Sequence, residues 1–76
     1  MSEYKEFIIE RSKMDVLIQK GYRIKRVTEH LNGASIEFEL THPKSSEQKR
    51  NEVLHIQTAE GRKYFSSLIL QQQHQM

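Results

Sequence analysis

The chain contains no cysteine, which excludes a disulfide frame and any thiolate metal site. It has one proline and three glycines, too few for a loop-dominated or fibrous chain. No apolar run approaches the roughly 18 residues that a membrane span requires. The early apolar cluster Phe7-Ile8-Ile9 is flanked by Glu6 and Glu10, unlike the apolar core of a secretory leader. A soluble, unsecreted protein of the cytoplasm is the expectation.

A strong charge of one sign is also missing. Twelve Lys and Arg against ten Asp and Glu leave a net charge of +2, too small to argue for a polyanion partner by itself. The distribution says more. Residues 27–42 carry only the acids Glu29, Glu37 and Glu39, whereas 20–26 hold Lys20, Arg23, Lys25 and Arg26. Arg62 and Lys63 form a second basic pair. The simplest expectation is that Arg26 and its neighbours face the acids of the following strand.

What is present begins with Leu31-Asn32-Gly33-Ala34 followed by strict alternation in Ile36-Glu37-Phe38-Glu39-Leu40. Asn-Gly marks a two-residue hairpin turn, whose central positions both take positive φ. The alternation predicts a strand with Ile36, Phe38 and Leu40 buried and Glu37 and Glu39 wet. Strands are expected over 22–31 and 34–41. If Leu31 pairs with Ala34, Val27 stands opposite Phe38, Arg26 opposite Glu39, and Thr28 opposite Glu37. Tyr22 and Ile24 then have the wrong parity to share the face of Val27. A bulge near Lys25-Arg26 corrects it and is the preferred reading; the alternative is a three-residue turn that pairs Ile24 with Leu40 and leaves Val27 on the wet face.

Upstream, residues 3–20 read as a helix. Tyr4, Phe7, Ile8, Arg11, Met14, Leu17 and Ile18 fall on one helical stripe, with Ser2 as N-cap, Lys20 in the last turn and Gly21 as the left-handed C′ residue. Ile9 and Val16 lie off that stripe. Downstream, residues 42–52 are polar and opened by Pro43, which predicts a mobile loop. Residues 53–57 predict a third short strand with Leu54 and Ile56 inward. Thr58 is a suitable cap for a second helix carrying Tyr64, Phe65, Leu68, Ile69 and Gln72 on its stripe. Gly61 weakens that helix and leaves open a hairpin through Ala59-Glu60-Gly61 into a fourth strand. Residues 71–76 predict a fraying polar tail.

The expected fold is α+β, one domain over residues 1–76 in the order α-β-β-β-α. A three-stranded antiparallel meander carries both helices on one face and leaves the other polar. A domain this size buries only about 60% of the surface its unfolded chain exposes, leaving little room for a deep cleft.

Chemistry-bearing motifs are sparse. His30, His42, His55 and His74 have no metal-ligand spacing among themselves. No serine lies in a nucleophile-elbow context, and Gly21, Gly33 and Gly61 are too scattered for a phosphate loop. No catalytic residue, cofactor or metal is expected.

A small non-enzymatic accessory or regulatory protein that binds another protein is therefore the leading expectation. Its surface would be the polar sheet face (Arg26, Thr28, Glu37, Glu39, His55, Gln57), a sheet edge or one helix. Strand three is short and weakly charged beside strand one, which predicts a weak to moderate homodimer in preference to a monomer. The alternative is a nucleic-acid-binding module that uses Arg62 and Lys63 at the start of the last helix, extended by Lys20, Arg23 and Lys25.

The element order α-β-β-β-α is similar to that of double-stranded-RNA-binding domains. That resemblance implies a phosphate-gripping basic run at the start of the last helix and a loop between the first two strands that enters a minor groove. Gly61-Arg62-Lys63 occupies the place of the basic run. Tyr64 and Phe65 follow where the family has further lysines, and the Asn32-Gly33 turn is short for a groove.

Overall fold

A computed structural model describes residues 2–41 and 50–74 of the chain. Five elements follow one another: α1 (Ser2–Gln19), β1 (Tyr22–His30), β2 (Gly33–Leu40), β3 (Asn51–Ile56) and α2 (Ala59–His74). The strands form an antiparallel sheet in the order β1-β2-β3, with both helices on one face. This is the α+β arrangement that the alternation and the two helical stripes predict. The expected mobile loop falls largely on residues 42–49, outside the described residues; its last two positions, Asn51 and Glu52, begin β3.

The core is built where the periodicities converge. Ile36 and Phe38 are fully buried between β1 and β3, and Met14 from α1 closes over them. Tyr22, Ile24, Ala34, Ile56, Phe65 and Leu68 complete the cluster. The buried face of α1 is rotated from the expected stripe. Tyr4 is 64% exposed and Ile8 38% exposed, whereas Glu10 is only 8% exposed. The helix begins at Ser2, one residue before the expected start. At the other end Gly21 takes the expected left-handed conformation at φ +97 and donates its N–H to the Ile18 carbonyl at 3.0 Å, whereas Lys20 lies one residue past the helix, outside its last turn.

The hairpin differs from the sequence reading in register and agrees in parity. His30 pairs with Gly33, Thr28 with Ser35, Val27 with Ile36 and Arg26 with Glu37. The two turn residues are therefore Leu31 and Asn32, and every partner lies two residues from its expected place. Because a shift of two preserves the face, Val27 still points toward the helices. Asn32 does not take positive φ; Gly33 alone of the pair does, at +142. The cause lies outside the hairpin: a Cβ on Gly33 would strike the Ile56 carbonyl oxygen and approach Gln57 Cα at 3.2 Å. The expected bulge is present, with the register shifting between Ile24 and Arg26.

The two helices meet through aromatic and polar contacts. The Phe7 and Tyr64 rings pack edge-to-face at 6.4 Å, and the Arg11 guanidinium lies 5.4 Å from the Tyr64 ring centre. Tyr64 donates its hydroxyl to Asp15. That bond, with desolvation and the carboxylate charge behind it, raises the Tyr64 pKa above its ordinary value of 10.0.

The helix reading of residues 58 onward holds; of the expected tail, residues 71–74 belong to the helix, and residues 75–76 lie outside the described residues. α2 continues to His74, and Gln72 has a role at the edge of the sheet. Its side-chain oxygen accepts the Ile24 N–H at 2.7 Å, and its amide donates to the Ile24 carbonyl at 3.2 Å. One side chain thus occupies the outer edge of β1 beside the bulge, much as a neighbouring strand would. Gln72→Ala is expected to lower stability by about 1 kcal/mol through these lost bonds. It should also speed hydrogen exchange at the Ile24 amide, read by NMR, well beyond its effect on central β2 amides.

Candidate functional site

The face of the sheet turned away from the helices is the candidate site, built by the same alternation that fills the core. The outward residues form rows across the strands. Arg23 faces Glu39, which faces Asn51; Arg26 faces Glu37, which faces Val53; Thr28 faces Ser35, which faces His55. Arg26, Thr28, Glu37, Glu39 and His55 therefore do share one face. Gln57 lies just past the end of β3, exposed, with its backbone N–H held by Glu10. The acids of β2 run down the middle, with arginines on one flank and Asn51, Val53 and His55 on the other. The expected opposition of basic and acidic residues exists as facing positions, with Arg26 opposite Glu37 in place of Glu39.

Two histidines that lack any recognisable sequence spacing meet on this face. His30 Nε2 lies 2.7 Å from Ser35 Oγ, and Ser35 Oγ lies 3.1 Å from His55 Nδ1. One hydroxyl, with one proton and two lone pairs, therefore bridges imidazoles carried by the two outer strands. Asn51 donates to Glu37 at 3.1 Å in the adjacent rows. The only advance signal was the hairpin register, because His30 and Ser35 are five residues apart and close only through the turn. A serine beside an imidazole has the form of a nucleophile–base pair. Among the described residues, no carboxylate hydrogen-bonds to either imidazole, and no group of three or more His, Asp or Glu could hold a metal ion. The row places three hydrogen-bonded polar side chains on the open face of the sheet.

Among the basic residues proposed for nucleic acid, Arg62 and Lys63 both have acidic neighbours. Arg62 pairs with Glu29 at 2.6 Å, tying α2 to β1, and Lys63 lies 3.4 Å from Glu60 on its own helix. Arg23 lines a cleft with Gly21, Leu68, Gln71 and Gln72 near the end of α2. Ten helical residues, about 15 Å, separate that end from Arg62. Arg23 thus lies at the opposite end of α2 from Arg62 and Lys63.

The start of α2 is itself occupied. Thr58 caps it, accepting the Gly61 N–H at 2.9 Å. The Glu10 carboxylate accepts the Thr58 hydroxyl at 2.6 Å and the Gln57 N–H at 2.8 Å. The anion that a helix N-terminus favours is supplied from within the chain, by a residue the helical stripe placed off the buried face.

No family model matches this chain, nor does any curated protein or solved structure. No helix of the described residues is long and apolar enough to cross a membrane.

Proposed function

We propose that this is a small non-enzymatic accessory or regulatory protein that binds another protein through the open face of its sheet. The observation that carries the reading is the hydrogen-bonded His30–Ser35–His55 row beside the Glu37–Asn51 pair, on a face that no layer of the described residues covers. Fixed polar groups of both signs suit a partner surface of mixed charge, since complementary placement gives specificity and rejects wrong partners. Nucleic-acid binding is the second reading, and it rests on Arg62 and Lys63. Both lie within 4 Å of a carboxylate, so their positive field is partly spent inside the molecule. The protein reading is preferred for that reason.

One experiment separates the two. A photo-crosslinker at Thr28 should capture a discrete protein from the native cell, whereas one at exposed Lys5 should not. Arg26→Glu with Glu37→Arg should abolish that capture. Labelled duplex RNA and duplex DNA should fail to bind at tens of micromolar protein in low salt. Nucleic-acid binding whose affinity falls steeply with salt, and which Arg62→Ala with Lys63→Ala weakens, would replace the protein reading.

A further inference from the structure

We propose that two copies of this chain associate about a two-fold axis at the free edge of β3, joining their sheets into one of six strands. The two edges of the sheet are not equivalent. Gln72 covers β1 at Ile24, and no described residue hydrogen-bonds to the outer edge of β3. The Leu40 N–H bonds to the Arg50 carbonyl, which sets the antiparallel alternation. Ala34, Ile36 and Phe38 therefore turn their backbone groups toward Ile56, Leu54 and Glu52. Asn51, Val53 and His55, lying between those positions, turn their N–H and C=O groups outward. These groups are self-complementary: with Val53 opposite Val53 of a second copy, Asn51 meets His55 and every outward N–H faces an outward C=O. The Val53 side chain, 56% exposed, is then covered by its own counterpart.

The flank of α1 beside that edge fits the same axis. Ser12, Lys13, Val16 and Leu17 line an open trough with Glu52 and Leu54, the residues on either side of Val53. Along this flank the order is Glu6, Ile9, Lys13, Val16-Leu17, Lys20, spaced three or four apart and so on one side of the helix. The order is acid, apolar, base, apolar, base. A two-fold near Lys13 turns the second helix antiparallel, placing Glu6 against Lys20 and Ile9 against Val16 and Leu17 of the other copy. Ile9 is 55% and Val16 46% exposed, and this contact covers both. Lys13 falls near the axis, where Glu52 of each copy answers its charge. Strand and helix thus carry independent self-complementary patterns about one position. That agreement selects a second copy of the chain over an unrelated strand.

The test is sedimentation velocity with light scattering over a concentration series reaching millimolar protein. A reversible dimer is expected. Val53→Pro removes an outward N–H that β2 does not use, a change an edge strand accepts, so the monomer should keep its circular dichroism. Its dissociation midpoint should rise by about tenfold or more, as expected for loss of one hydrogen-bonded pair. Glu6→Lys and Lys20→Glu should each weaken the dimer, and the two together should restore it. A monomer mass throughout, a dimer indifferent to Val53→Pro, or a charge swap without rescue would overturn the proposal. The open-face reading is judged separately, since a monomer that still crosslinked its partner through Thr28 would leave it standing.

Discussion

Phe38→Ala is expected to lower stability by about 3–5 kcal/mol, the usual range for removing a buried aromatic ring. Phe38 is fully buried, pairs with Ile24 on one side and Glu52 on the other, and lies beneath both helices. Its removal leaves a cavity bounded by all three strands, which a sheet held on two sides cannot collapse to fill. Set against the roughly 5–15 kcal/mol that holds a typical domain folded, this is a large share. Glu37→Ala, one residue away on the opposite face, should cost less than about 1 kcal/mol, the scale of one exposed hydrogen bond from Asn51. Urea denaturation of the two variants measures the contrast. Equal losses would mean that the faces of β2 are assigned wrongly.

The second large effect is a coupling. Gly61 sits in the first turn of α2, where Ala would ordinarily gain up to about 1 kcal/mol of helix propensity. Here a Cβ would strike Glu10 Oε1 and approach Ile56 Cγ2 at 2.7 Å and Thr58 Oγ1 at 2.9 Å. Gly61→Ala is therefore expected to destabilise by about 1–3 kcal/mol, as overpacking does. Glu10→Ala should cost about 3 kcal/mol, because the Thr58 hydroxyl and Gln57 N–H lose a charged acceptor in a buried place. The double variant should cost less than the sum, since removing the carboxylate makes room for the methyl group. A double-mutant cycle by thermal or urea unfolding reads this directly. Simple additivity would show that the carboxylate and the glycine do not constrain each other.

The same pair shows why part of the fold was legible in the sequence and part was not. Period-two and period-3.6 patterns are local, so Ile36, Phe38, Phe65 and Leu68 announce their burial and the element order follows. Glu10 is buried by partners 47 and 48 residues away, and no window of local periodicity contains them. Its one trace was Gly61, a residue ill-suited to a helix start unless something must come close. The strand faces were legible because they depend on odd and even positions alone. The pairing partners were not, because Gly33 is placed by its approach to Ile56, across the other strand pair. The stripe of the second helix reaches Gln72, but the partner of Gln72 is not legible for the same reason, since Ile24 lies 48 residues earlier. At the candidate site, the charged rows follow from alternation, whereas the union of His30, Ser35 and His55 needs all three strands in register.

The Gln72 contact also bears on how many neighbours a molecule of this kind can have. A sheet with two adhesive edges is divalent, and divalent units linked head to tail through unlike edges grow without limit. By engaging the backbone of Ile24, the last turn of α2 occupies one stretch of the β1 edge. A strand from another molecule would have to displace that side chain before it could pair there, so growth through unlike edges carries a penalty built into the fold.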